Sequence, residues 1–533
     1  MVPRRLPLTC FEHRVAATPG GKHACILTVV GLWTEAQRAR VREDHLSPEL
    51  FGRPSRDSPD LLLVLHPDGQ PLWAQLRDAI RDAIRTGRLP SGAQLPSSRA
   101  LAADFGVSRG VVVDAYAQLV AEGYLTSQSG SGTHVAATFQ LPRVEPPAQQ
   151  TPAPAPAGLV EFDLRADRPD PALFPRRKWV SATRDAVRDL ADGDLGYPHP
   201  LGNNGLRIEL ASYLGRVRGA VVAPETVLIV AGVTQGLVLL ARLLAQQGHD
   251  ALAVEDPGSR WLHRAAAGTG LRLVPVAVDR DGLDVSALAA TEARAVLCGP
   301  SHQFPTGAVL SPSRRSALVR WAMDRDGLII EDDYDAEFRW DRMPMGCVQG
   351  LDPQRVALLG SVSRSLAPGL RIGWVLPPAT LLAPLATAKR DADGGCPVIE
   401  QQTLAQLIEM GAFDRHLRRA RKTYRARRDA LLSAVVQHLP DWSVAGAVAG
   451  LHVWLRPPSD VDAAALVSAT AARGIAIEAT AATSGRTDWL AGLVLCYARL
   501  DVDHAAEAVA RIADAVRDIG APTNRPGEVE ETV

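Results

Sequence analysis

From Phe162 to about Ile519, short apolar runs alternate with longer stretches of helical spacing, among them VLIVAG, ALAVED, AVLCGP, GLIIEDDY and VALLGS. A brief apolar run without polar alternation, closed by a turn residue or a carboxylate, is a strand covered on both faces. Strands that alternate with helices build a largely parallel sheet. The pattern therefore predicts an α/β domain over 161–520, a doubly wound sheet with helices on both faces.

The chain has 533 residues, too many for one ordinary core. The stretch 1–58 is rich in Arg, Pro and Gly without sustained periodicity, and is expected to be a disordered extension or an over-long start. Residues 139–160 are Pro/Ala-rich and are predicted to be a linker. The polar, acidic end, 521–533, is predicted to be disordered.

Net charge is -1, so bulk electrostatics argue neither for nor against nucleic acid. The six cysteines, Cys10, Cys25, Cys298, Cys347, Cys396 and Cys496, have no metal-like spacing and read as buried or idle thiols in a reducing cytoplasm. No metal site is expected. No apolar run is long enough to span a bilayer. Arg4 and Arg5 precede an apolar run, Ala24 to Trp33, that lacks a clear cleavage site, so no signal peptide is expected.

Within 59–138, Leu72, Leu76, Ala79, Ile80, Ala83 and Ile84 have helical spacing, and Gly87 stops that helix. A short helix is predicted at Ser98 to Phe105, broken by Gly106. Ser108 is placed to cap a third helix whose inner face is Val112, Ala115, Tyr116 and Leu119. YLTSQSGSGTHVA then reads as strand, glycine turn and strand. Three helices followed by a hairpin make a winged helix-turn-helix. Leu95-Pro96-Ser97-Ser98-Arg99, Gly106-Val107-Ser108-Arg109, Ala115-Tyr116 and Glu122-Gly123 carry a resemblance to the GntR-type winged helix. The start of the last helix enters the major groove in such motifs, which puts Arg109 at guanine or phosphate. Ser97, Ser98, Arg99 and Ser108 are expected at phosphates, and Gly130 and Gly132 allow the wing to approach the backbone of double-stranded DNA. Gly110 offers no side chain for base readout. From Asp60 to Ala137, six Arg face seven Asp and Glu, so the head is not a basic patch and one copy alone is a weak binder.

In the α/β region, Gly232-Val233-Thr234-Gln235 follows an apolar strand and opens a helix, where backbone N–H groups can cradle a phosphate. With YPHPLGNNGLRIELASYL, GPSHQFPTG, IIEDDYDAEFRW and GSVSRSLAPGLRIGWV, this region resembles fold-type I, pyridoxal-phosphate-dependent aminotransferases, and the pair of domains resembles the MocR/GabR group of regulators. The resemblance implies that Asp332 pairs with the pyridinium nitrogen. It implies that Tyr334 donates to the ring hydroxyl, and that Ser361, Ser363 and Arg371 hold the phosphate. It also implies a homodimer, whose two heads read two half-sites of an operator.

One position departs from that family. Arg364 stands where the family has the Lys that forms the Schiff base. A guanidinium keeps its proton and is no amine nucleophile, so Arg364 can neither anchor the cofactor covalently nor shuttle protons. The only lysines are Lys22, Lys178, Lys389 and Lys422, none at a matching position. No catalytic residue is therefore assigned. Ser259 replaces an aromatic that stacks on the ring, with Trp261 close by, and Val494 falls where a carboxylate-binding Arg can stand. The pocket has three readings: non-covalent binding of pyridoxal phosphate or of a cofactor–amino acid adduct, binding of another small anion, or a scaffold that binds nothing. The functional expectation is a ligand-responsive transcription regulator. Its rivals are an active aminotransferase with a DNA-binding head and a plain interaction protein.

Overall fold

The computed structural model describes residues 70–128, 132–137, 160–166, 168–340, 345–458, 461–480 and 492–520. The chain divides into two compact units, Met1–Gln150 and Thr151–Val533. The disorder expected at 1–58 and 521–533 falls outside the described residues, as does nearly all of the expected linker.

The first unit holds helices α1 (Leu72–Arg85), α2 (Ser98–Phe105) and α3 (Arg109–Ala121) and strands β1 (Gln94–Leu95), β2 (Leu125–Gln128) and β3 (Gly132–Val135). Leu76, Ile80 and Ile84 of α1 pack with Leu101, Val112, Ala115, Leu119, Leu125 and Val135 in one core. Burying a side chain of this size stabilises by about 1.5–3 kcal/mol, so the apolar stripes fix the arrangement of the helices. Ser97 caps α2 by accepting from the Ala100 amide, and Gly106 closes it in the left-handed conformation. Ser108 precedes α3 as its N-cap, but its side chain makes no capping bond, so only its position is as expected. A third strand joins the hairpin, giving the order β1-β3-β2. β1 has two residues, too few to show a period in sequence.

The second unit is built on an eight-stranded sheet. Its order is Leu228–Val230, Gly373–Leu376, Val356–Ser361, Leu328–Asp332, Ala295–Cys298, Ala251–Asp256, Arg272–Asp279, Gly282–Leu283. The five strands from Val356–Ser361 to Arg272–Asp279 are parallel. Gly373–Leu376 runs antiparallel to both neighbours, so the sheet is mixed. All six residues of Ala251–Asp256 are buried, as a strand covered on both faces requires. A separate four-stranded antiparallel sheet joins Ser443–Ala445, His452–Arg456, Leu493–Cys496 and Glu478–Ala479. The sequence reading did not foresee it, because its strands are short and far apart along the chain. Cys298, Cys347, Cys396 and Cys496 are buried free thiols. Among the described residues no helix is long and apolar enough to cross a membrane.

Candidate functional site

Asp332 and Ser361 end neighbouring parallel strands, and Gly232 follows the edge strand Leu228–Val230. Ligands in open α/β sheets sit beyond the carboxyl ends of such strands. A chamber of about 210 Å³ lies there. Val233, Thr234, Asp332, Tyr334, Ser361, Ser363, Arg364 and Arg371, named from the sequence, line it together with Ser259, Trp261, Leu262, Phe304 and Pro368.

One end of the chamber is built for an anion. The helix Val233–Gln246 starts there, with Gly232 before it at φ 89°. A Cβ at Gly232 would lie 2.8 Å from Nη2 of Arg371 and would displace the guanidinium, and the positive backbone angle itself favours glycine. Arg371 donates to the Ala231 carbonyl. The start of that helix, Ser361, Ser363 and Arg371 line the same chamber, and N–H groups, hydroxyls and a guanidinium are groups that can hold a phosphate. Gln235 is not part of its lining. Its Oε1 accepts from the Ala231 amide at 2.8 Å and its Nε2 donates to Asp393 at 2.7 Å. Lys389, fully buried, bonds the same Asp393 at 2.6 Å. Gln235 thus braces the loop from behind.

The other end is acidic and starved of partners. Oδ1 of Asp332 is buried with no hydrogen-bond partner. Burial, then the charges of Asp333 and Glu255, push its carboxyl up to about 8. A cationic ring N–H placed there would meet an acceptor whose ionised form it stabilises. Tyr334 lies beside it, its hydroxyl 3.1 Å from Nδ1 of His302. These two groups fit a protonated pyridine with an adjacent ring oxygen.

Arg364 also lines the chamber, 10 % exposed in its side chain, with Nε 4.0 Å from Oδ1 of Asp335. Its guanidinium carbon is 5.5 Å from the centre of the Tyr334 ring. Asp335, His302 and His452 form a buried cluster whose polar atoms lie within 4.8 Å of one another. Burial, then the neighbouring His302 and Arg364, hold His452 well below the usual imidazole range. The cation beside this cluster is Arg364. His302, Asp335 and His452 were not singled out in the sequence, since their separation along the chain hides the cluster. Trp261 donates from Nε1 to Oγ1 of Thr234 at 3.0 Å, which ties its ring to the rim of the phosphate cradle.

In the first unit, Arg109 opens α3 and donates from Nε to Oγ of Ser98 at 3.3 Å. Ser97, Arg99, Ser108 and Arg109 are exposed. Gly132 begins β3 at φ 90°, and Gly130 lies outside the described residues.

These two sites define a regulator with a DNA-binding head of the GntR type and an aminotransferase-like unit. Residues 169–512 match the aminotransferase class I and II family, and residues 72–135 match the bacterial regulatory proteins of the gntR family. The chain is 35% identical to the HTH-type pyridoxine biosynthesis transcriptional regulator PdxR of Corynebacterium glutamicum over 86% of its own length and 99% of that protein. It is 33% identical to the probable rhizopine catabolism regulatory protein MocR of Rhizobium meliloti, over 72% of this chain and 80% of that one. Among solved structures, LysN, an alpha-aminoadipate aminotransferase of Thermus thermophilus complexed with N-(5'-phosphopyridoxyl)-L-leucine, aligns with a TM-score of 0.61 at 27% identity, covering 69% of this chain and 94% of that one. The chain belongs to the family of HTH-type transcriptional regulators that carry an aminotransferase class I and II domain.

Proposed function

We propose that this protein is a dimeric DNA-binding transcription regulator whose second unit holds pyridoxal phosphate, or a phosphopyridoxyl–amino acid adduct, without a covalent bond. The observation that supports the reading is the chamber itself, whose lining combines the start of a helix, Ser361, Ser363 and Arg371 with Asp332, one of whose carboxylate oxygens is buried without a partner, and with Arg364. Among the described residues no lysine lines it.

The bound group would supply an electron-withdrawing ring and a phosphate handle. Val233, Thr234, Ser361, Ser363 and Arg371 hold the phosphate. Asp332 accepts from the ring nitrogen and Tyr334 donates to the ring oxygen. Arg364 occupies the position of the anchoring amine, and its always-protonated guanidinium presents a fixed positive charge to the aldehyde or to an incoming carboxylate. It cannot take a proton from the substrate carbon, so the protein acts as a sensor rather than an aminotransferase. Ser97, Ser98, Arg99, Ser108 and Arg109, with the wing at Gly130 and Gly132, contact DNA. A dimer places two such heads on one operator, and the ligand shifts the balance between head arrangements.

The test is an absorbance titration with pyridoxal phosphate followed by dialysis, on the wild type and on Arg364→Lys. The wild type is expected to perturb the chromophore and lose it on dialysis, while the Lys variant retains it. Failure of both proteins to bind leaves a scaffold, and transamination by the wild type makes the protein an enzyme.

A further inference from the structure

Beside the first chamber lies a second, of about 540 Å³. The two share Ser259, Trp261 and Phe304. Cavities of about 300–1,000 Å³ are the usual size for small-molecule sites. Arg168, Arg260 and Arg264 contribute to its wall, with Glu478 the one carboxylate among them.

These arginines are not equivalent. Nη1 of Arg168 is 2.9 Å from Asp163, a carboxylate it shares with Arg165, and the charge of Glu478 also reaches it, so Arg168 already has acidic neighbours. Arg260 and Arg264 belong to the helix Arg260–Ala267, one turn apart and therefore on one face. Both are exposed, and neither has an acidic partner among the described residues. Two guanidinium forks thus line a cavity whose one carboxylate, Glu478, is already reached by the charges of Arg165 and Arg168. Across the chamber, Val494 pairs in register with Glu478 and presents an apolar side chain. The anion-binding capacity of this chamber lies on the helix wall, not on the small sheet.

We propose that the second chamber takes the amino-acid part of a phosphopyridoxyl–amino acid ligand, and that Arg260 and Arg264 select an amino acid with a second acidic group. This rests on the reading of the first chamber as a cofactor pocket. A carboxylate or sulfonate one side chain away from the ring enters the shared doorway at Ser259, Trp261 and Phe304 and meets both forks. Glu478 repels that acid from the opposite wall and turns it toward the helix. An aliphatic amino acid fits the volume but leaves the two cations unanswered, so discrimination comes from charge more than from shape.

The experiment is calorimetric titration of the full-length protein with pyridoxal phosphate, N-(5'-phosphopyridoxyl)-L-glutamate and N-(5'-phosphopyridoxyl)-L-leucine. It is run on the wild type and on an Arg260→Gln/Arg264→Gln variant, whose exposed substitutions spare the core. The wild type is expected to bind the glutamate adduct about tenfold or more tightly than the leucine adduct, the scale of one charge-assisted contact. The variant is expected to bind both adducts alike, with its affinity for pyridoxal phosphate unchanged. Equal affinities in the wild type overturn the proposal while the cofactor reading stands. A preference for glutamate that survives in the variant also overturns it, since other groups then read the acid. Failure of all three probes to bind removes the cofactor reading, and this proposal with it.

Discussion

Nε of Arg364 lies 4.0 Å from Oδ1 of Asp335, whose side chain is 0% exposed. Burial pulls the Arg364 pKa down from its ordinary value, yet a guanidinium remains protonated in proteins. Asp335 is one carboxylate beside it, and the charge of Glu478 also reaches it. Asp335→Asn removes a fully buried carboxylate from beside both Arg364 and His302, and urea denaturation is expected to show a loss on the order of 3 kcal/mol. The double variant Arg364→Leu/Asp335→Asn is expected to lose less than Asp335→Asn alone. A single-variant loss under about 1 kcal/mol shows instead that water screens the pair.

Stability is expected to fall as pH rises toward 8. Burial is the largest cause in each of three shifts, which push Asp332 and Glu255 up to about 8 and Glu337 up to about 7. In the unfolded chain these groups ionise near pH 4, roughly. Between those values the folded state binds more protons than the unfolded one, so stability is highest below about 4 from this term and is lost through about 8. The ligand-free protein is expected to show a lower denaturation midpoint at pH 8 than at pH 5.5. Asp332→Asn is expected to shrink that difference and to weaken capture of pyridoxal phosphate. A midpoint that does not change with pH contradicts this account.

Gly232→Ala tests the cradle. The substitution forces a Cβ into a backbone at φ 89° and against the Arg371 guanidinium. A strained backbone of this kind costs about 1–3 kcal/mol. Affinity for pyridoxal phosphate is expected to drop about tenfold or more, the equivalent of 1.4 kcal/mol, while the DNA-binding head is untouched. Wild-type affinity in this variant shows that the phosphate does not sit there.

In the head, Arg109→Ala is expected to abolish binding to DNA fragments selected by the wild type from a random pool, read by gel shift. Ser98→Ala frees the Arg109 side chain and is expected to weaken binding less, with Ser98→Thr restoring it. Binding by Arg109→Ala that equals the wild type moves the reading contact elsewhere. Leu119→Ala, in contrast, removes a fully buried side chain and is expected to destabilise the head by about 2–5 kcal/mol.

What the sequence revealed depended on how local the signal was. The end of α2 was legible because Gly106 breaks it, whereas the cap at Ser97 emerged only with the structure, and the inner face of α3 was legible because Val112, Ala115, Tyr116 and Leu119 keep helical spacing. The third wing strand, Gln94–Leu95, was not, since its pairing partner lies in another element, with Gln94 opposite His134. The same held in the second unit. Asp332 and Arg371 stood out within continuous motifs. The bracing role of Gln235 depended on Asp393, and the Asp335 cluster on His302 and His452, none of them near in sequence. The reversed strand Gly373–Leu376 was not among the apolar runs read as strands, and its direction follows only from the chain's path.

That reversed strand has a consequence for how a ligand is felt. Gly373 pairs with Val230, so the chain leaving one strand and the chain entering the other meet at the same edge, and Arg371 reaches the Ala231 carbonyl across a separation of 140 residues. An anion seated there would touch two lengths of the polypeptide that are distant in sequence. The Arg371–Ala231 bond and the pairing of Gly373 with Val230 already join the outer border of the sheet to the middle of the chain, and contacts from such an anion would add to that seam.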